Sequence, residues 1–379
     1  MSSRELEDMT EKLEEGIALA LSGGGFRAMV FHLGALLRIN EVGLLAKLTR
    51  VSSVSGGSIT AAALAMSWKE LQFVNGIADN LQIVVDRVRV LATTTIDVGA
   101  VIGGILLPGT ISDRVASTYD RILFNGKKLS DLTDESPGKA PRFVFNATNV
   151  QTAALWRFSK PYMGDYRVGL IENPNVALAI VVAASSAFPP ILSPLTLNID
   201  QPVKRTMGAD LSRPPYTQQA VLSDGGVYDN LGLETIFKRY TTVLVSDAGQ
   251  KITPEDDPAD DWARHSVRIL DIVDNQVRSL RKRALIESYL RGDHTGCYWG
   301  IRTDYLDYKL LDDPLKCATR NPTYLAEIPT RLQAMDRDEQ ERLINWGYAI
   351  CDAALRAHVD PAKFGISFVS PRFPYPQGY

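Results

Sequence analysis

Three consecutive glycines, set between a short apolar run and a helix-patterned stretch, limit this chain's fold more than any other feature. Residues 16–21 (GIALAL) read as a buried strand that stops at Ser22, Gly23, Gly24 and Gly25. From residue 26 to 40 the apolar Met29, Val30, Leu33, Leu36 and Leu37 then recur at helical spacing. A strand passing through a tight loop straight into a helix N-terminus is the unit from which α/β folds are built. The unit recurs at residues 49–54, a strand pattern ending at Ser55, followed by GGSITAAALAM, whose alanines favour helix. Residues 142–150 and 241–246 are further strand candidates, and residues 176–184 (VALAIVVAA) fit an apolar helix or a buried strand. Strands alternating with helices through residue 250 predict an α/β fold with a mostly parallel sheet.

Beyond residue 247 an acidic loop (PEDDPADDW) precedes a basic helical stretch over residues 263–290, a strand candidate over 297–303 and a helix over 337–358. No Gly/Ser/Pro linker separates this section, so residues 16–379 are expected to form one domain after a short N-terminal extension, residues 1–15. The basic stretch reads first as a solvated helix face and second as a contact for lipid headgroups. Residues 96–108 are apolar but carry Asp97 and several glycines, and fall short of the ~20 residues a spanning helix needs. They are expected to be core, acyl pocket or a lid.

A formal charge of -3 gives no basic field to gather nucleic acid or an anionic membrane, so a membrane contact is expected to be local and peripheral. The three cysteines, odd in number and far apart, do not form a disulfide framework. With an acidic N-terminus unlike a secretory signal, they point to the cytoplasm.

The chemistry sits at three turns. Glycines 23 to 25 free backbone amides to face a ligand, and the helix behind them favours negative charge, which suits a phosphate or a reaction oxyanion. Gly23, Gly25 and Ala28 fit a loose dinucleotide pattern, yet the acidic residue expected at the end of the second strand is absent. Ser53-Val54-Ser55-Gly56-Gly57 fits a nucleophile elbow with serine in place of its first glycine; such a pentapeptide alone also fits an ordinary turn. Asp224-Gly225-Gly226 is, by itself, a turn.

Taken together and in this order, the three turns resemble the signature of the patatin-like phospholipases, a GGGx(K/R) loop, a serine elbow and a D-G-G/A aspartate. A fourth block, Ala183 to Pro189 (AASSAFP), is similar to the family's A-x-x-S-A-x-P segment. The resemblance implies a three-layer fold with helices on both faces of the sheet, and a lipid acyl hydrolase of phospholipase A or lysophospholipase type. It implies a Ser55–Asp224 dyad without histidine, an oxyanion loop formed by Gly23, Gly24, Gly25, Phe26 and Arg27, and elbow support from Gly56 and Gly57. Neither metal nor cofactor is implied. An esterase or thioesterase on soluble substrates, or a catalytically silent lipid-binding module, stays open beside that reading. His32, on the apolar face of its helix, reads as a core histidine, and Asp229 and Asn230 as loop-ordering residues.

Overall fold

Along β1 (Glu14–Leu21) the side chains alternate between two cores: Ile17, Leu19 and Leu21 enter the larger, Ala18 and Ala20 the smaller. A strand buried on both faces requires a cover on each. The computed structural model, which describes residues 12–96, 111–136, 138–250 and 252–379, supplies both.

The larger core is covered by α1 (Gly25–Glu41), α2 (Gly56–Ser67), α3 (Gln82–Ala92), α4 (Ile111–Tyr119), α5 (Leu178–Ser185) and α7 (Arg337–His358). The smaller is closed by Leu231, Leu233 and Ile236 and by Leu285 of α6 (Trp262–Arg291). The layers are therefore helix, sheet, helix. Five strands run parallel at the centre in the order β10 (Thr295–Gly300), β9 (Tyr240–Asp247), β1, β2 (Leu48–Val54) and β3 (Arg142–Asn149). Beyond β3 the sheet continues through an antiparallel meander, β4 (Ala154–Phe158), β5 (Tyr162–Asp165) and β6 (Gly169–Glu172).

One irregularity positions the site. β8 (Gln219–Asp224), itself paired with β7 (Leu195–Asn198), lies antiparallel against β3 on the same flank as β2. β2 reaches Val54 opposite Asn146, and β8 arrives from the other direction with Asp224 opposite Ala147. The two strands therefore end facing each other along one side of β3.

The parallel strands and their helices lie where the sequence patterns place them, and residues 176–184 resolve as a helix. The meander over residues 154–172 and the antiparallel strand carrying Asp224 are additions to that reading. The helix of residues 337–358 crosses α1 at glycines: a Cβ on Gly34 would stand 1.9 Å from the Ile344 carbonyl, and one on Gly347 would stand 2.0 Å from that of Phe31. Apart from Ile96, residues 96–108, expected to be core, acyl pocket or lid, lie outside the described residues. Among those described, no helix is long and apolar enough to cross a membrane.

Candidate active site

Ser55 leaves β2 with φ 51° and ψ −123°, backbone angles that cost a non-glycine residue on the order of 1–3 kcal/mol. Its surroundings hold it there. The Ser55 amide donates to Ser185 Oγ at 3.0 Å, and the Ser55 carbonyl accepts from the amides of Ser58 and Ile59, starting α2. Ser53, where an elbow usually has glycine, is fully buried, its hydroxyl 3.0 Å from Ser58 Oγ. Ser58 Oγ in turn lies 2.8 Å from Ser185 Oγ, which donates to the Asn146 carbonyl at 2.7 Å. A chain of serine hydroxyls thus replaces the missing glycine.

Gly56 and Gly57 are required by close approach. A Cβ on Gly56 would stand 2.0 Å from the Gly25 carbonyl, and one on Gly57 would stand 2.4 Å from that of Leu21. The elbow is therefore seated on the glycine loop backbone, and a Cβ on Gly23 would meet Ser55 Cβ at 3.1 Å.

Asp224 ends β8 and is 1% exposed, against 8% for Ser55. Its Oδ1 accepts from the Gly226 amide at 2.7 Å, and its backbone is fixed by Thr148 Oγ1 and the Ala187 carbonyl. The Ser55 hydroxyl lies close enough to stabilise the charged carboxylate, though Oδ2 is left without a hydrogen bond of regular geometry. Burial dominates, and it pushes the Asp224 carboxyl up to about 7 against the downward pull of Gly226 and Ser55. A carboxylate in that range suits proton transfer near neutral pH.

Within the glycine loop the donors are divided. The Gly23 amide donates to the Asn230 carbonyl at 3.1 Å, and the Phe26 amide to the Arg331 carbonyl at 3.0 Å. The amides of Gly24 and Gly25 donate to no described residue. Arg27 is buried and does not point at the serine: Nε and Nη2 donate to the Ala248 carbonyl at 3.2 and 2.9 Å, and Nη1 to that of Ile328. It staples the loop to the end of β9 and to the C-terminal section; burial, then Arg278, lowers its pKa to about 10.

None of the four histidines hydrogen-bonds Ser55 or Asp224. His32 spends its ring nitrogens on Ser246 Oγ at 2.8 Å and the Ser22 carbonyl at 2.9 Å, and burial lowers it to about 4. His294 stacks on Phe237, His358 meets the Tyr308 ring edge-on, and His265 lies beside the Ala259 carbonyl. Asp229 accepts from the amides of Leu231 and Glu234 and faces Arg281, so it orders its loop.

The sequence singles out no role for Ser185 within the Ala183 to Pro189 block. Its hydroxyl holds the elbow amide while its carbonyl accepts from the Gly225 amide at 3.2 Å, so one residue ties both turns together. Also unforeseen is the segment around Ile328 and Arg331, which covers Gly25 and Phe26; nothing local in it announces a partner 300 residues away.

No curated protein matches the sequence. Among solved structures, human GIVD cytosolic phospholipase A2 is similar over 93% of this chain and 60% of its own, with TM-score 0.51 and 14% identity. The same human protein in complex with methyl gamma-linolenyl fluorophosphonate gives TM-score 0.51 and 15% identity over 93% and 61%. The chain thus spans about three-fifths of those structures, 60% and 61%, and shares their fold. The patatin-like phospholipase family profile matches residues 19–237, more than half of the 379, and covers all four motifs. By that match this chain belongs to the patatin-like phospholipase family.

Proposed function

We propose that the chain is a serine lipid acyl hydrolase cleaving carboxylic esters of glycerophospholipids, as a phospholipase A or lysophospholipase. The observation that carries this reading is the head-on meeting of a serine at φ 51° with a buried carboxyl near pKa 7, beside two unengaged glycine amides. Ser55 Oγ attacks the ester carbonyl carbon while Asp224 takes its proton. The amides of Gly24 and Gly25 hold the tetrahedral oxyanion, each such donor contributing about 10²–10³ in rate. Collapse expels the glycerol-side alcohol, which receives the proton from Asp224. Water, deprotonated by the same carboxylate, then attacks the acyl-enzyme; collapse releases the fatty acid and Asp224 returns the proton to Ser55 Oγ.

Lipid as the acyl donor is supported by family membership, and the human relative was solved with a lipid-like fluorophosphonate. The decisive experiment labels the full chain with a fluorophosphonate, maps the adduct by mass spectrometry, and measures fatty-acid release from phosphatidylcholine micelles. Ser55→Ala is expected to lose adduct and hydrolysis, and Asp224→Asn to lose hydrolysis by about 10³-fold or more with the fold intact. Full activity in either variant, or an adduct elsewhere, overturns the dyad.

A further inference from the structure

At the carboxyl ends of β9 and β10, one loop away from Gly24, four cations converge on a single buried carboxylate. Asp247 closes β9; its Oδ2 accepts from Tyr298 Oη at 2.7 Å and its Oδ1 from the Gly249 amide at 2.8 Å. Arg278 of α6 stands 4.0 Å from Asp247 Oδ1, is 4% exposed, and donates to the Gln250 carbonyl at 2.8 Å. Lys282, one helical turn on, places Nζ 4.4 Å from the centre of the Tyr298 ring. Arg302 follows Ile301, whose amide donates to the Asp247 carbonyl at 2.8 Å, and Arg27 Nη2 donates at 2.9 Å to the carbonyl of Ala248, next to Asp247, so both belong to the group.

The cations are under-compensated. Neither Lys282 nor Arg302 makes a hydrogen bond or ion pair with any described residue, and like charges one turn apart on a helix repel. Lys282 is half-buried: burial lowers its pKa and Asp247 raises it, with Arg302 and Arg278 then lowering it, and Arg278 likewise acts to lower Arg302. Asp274, one turn before Arg278 on α6 and pushed up to about 6 by burial, and Asp307 supply further negative charge. Four cations against Asp247, Asp274 and Asp307 leave positive charge in excess, and a bound anion offsets it.

Arg302 is exposed and Arg278 is buried, so the cluster has an open rim and a rigid floor. It also lies outside the carboxyl ends of parallel strands, where open α/β sheets take their ligands. We propose that Arg278, Lys282 and Arg302 form a recognition site for a phosphate group, with a lipid phosphate headgroup as its occupant when the acyl ester is presented to Ser55. The site deepens the function proposed above and rests on it for the identity of the lipid. A forked guanidinium and an ammonium suit the tetrahedral oxygens of a phosphate.

The test uses full-length Ser55→Ala protein throughout, so that no readout depends on turnover, and hydrolysis by the unaltered chain is scored separately. Binding of inorganic phosphate and of glycerol 3-phosphate is measured by calorimetry. Flotation is measured with phosphatidylcholine vesicles with and without phosphatidic acid. Adding Lys282→Ala and Arg302→Ala together is expected to weaken phosphate binding by about tenfold or more, and Arg302→Lys to keep part of it. Arg342→Ala removes an equally charged but ion-paired residue and is expected to change nothing. Loss of the soluble phosphates with the double substitution identifies the phosphate group itself as the ligand. Loss confined to phosphatidic acid vesicles identifies a headgroup at a lipid surface. The proposal is overturned when the parent binds neither phosphates nor vesicles, when the double variant binds as the parent does, or when Arg342→Ala weakens binding equally.

Discussion

On the proposed mechanism Asp224 is asked for two opposed things: it would serve as base only when ionised, yet its surroundings favour the protonated form. With the carboxyl pushed up to about 7, kcat/KM on a phospholipid is expected to fall below that pH with a slope of one proton and to level off above it. A profile flat from pH 5 to 8 would remove Asp224 as the base. The same shift bears on stability. An unfolded aspartate titrates near 3.9 and the folded one near 7, so between those values the folded state holds a proton that the unfolded state has released. Stability contributed by this residue therefore falls as pH rises through that window and stays lost above it. A carboxamide at this position does not titrate, so Asp224→Asn should be more stable relative to the parent at pH 8 than at pH 5, by a few degrees in Tm. A difference unchanged between those pH values contradicts the shift.

At the scale of elements, the site depends on how two turns are held in register. Ser185 closes α5 and joins the elbow, through its hydroxyl, to the aspartate turn, through its carbonyl. Ser185→Ala leaves the Ser55 amide without an acceptor, an expected stability cost of about 1–3 kcal/mol by urea unfolding. It also frees Ser55, the proposed nucleophile, to drift, so kcat is expected to fall by up to about 10²-fold with KM little changed, while Ser186→Ala next door moves neither much. Equal effects at both serines would mean that Ser185 acts through packing alone. This division marks what the sequence could disclose. The glycine loop, the elbow and the aspartate turn were legible because each is a local solution to a backbone demand, written in glycines at consecutive positions. Ser185, Asn230 as partner of the Gly23 amide, and the Arg331 carbonyl on the Phe26 amide were not legible, because each is an ordinary residue whose role exists only across long sequence separations. The short strands of residues 154–172 escaped for another reason: at four or five residues each they offer little length over which alternation can show.

Across the whole molecule, the C-terminal section packs on the glycine loop and the helix that follows it. α7 lies on α1, the helix whose first turn is the glycine loop, and their backbones approach at Gly34 and Gly347 too closely for any side chain. The contact is locked at its far end by Arg38, buried against Asp352 at 2.6 Å, with Asp352 also held by Arg356 at 2.8 Å. At its near end the Ile328 and Arg331 carbonyls hold Arg27 and Phe26. A change in the helix crossing should therefore be felt at Ser55, although Gly347 lies far from it in sequence and touches no reacting group. Gly347→Ala places a methyl 2.0 Å from the Phe31 carbonyl, so the helices must separate or shift. Overpacking of this kind costs about 1–3 kcal/mol, and here it should also slow fluorophosphonate labelling of Ser55, because α1 cannot move without its glycine loop. Asp352→Asn tests the other end of the same lever: Arg38 keeps its ion pair with Glu41 but loses a charged partner in the interior, an expected cost of about 1.5–3 kcal/mol. Urea midpoints and labelling rates measured on both variants should fall together. Midpoints that fall while labelling at Ser55 keeps its full rate would show that the C-terminal helix stabilises the fold without setting the geometry of the glycine loop.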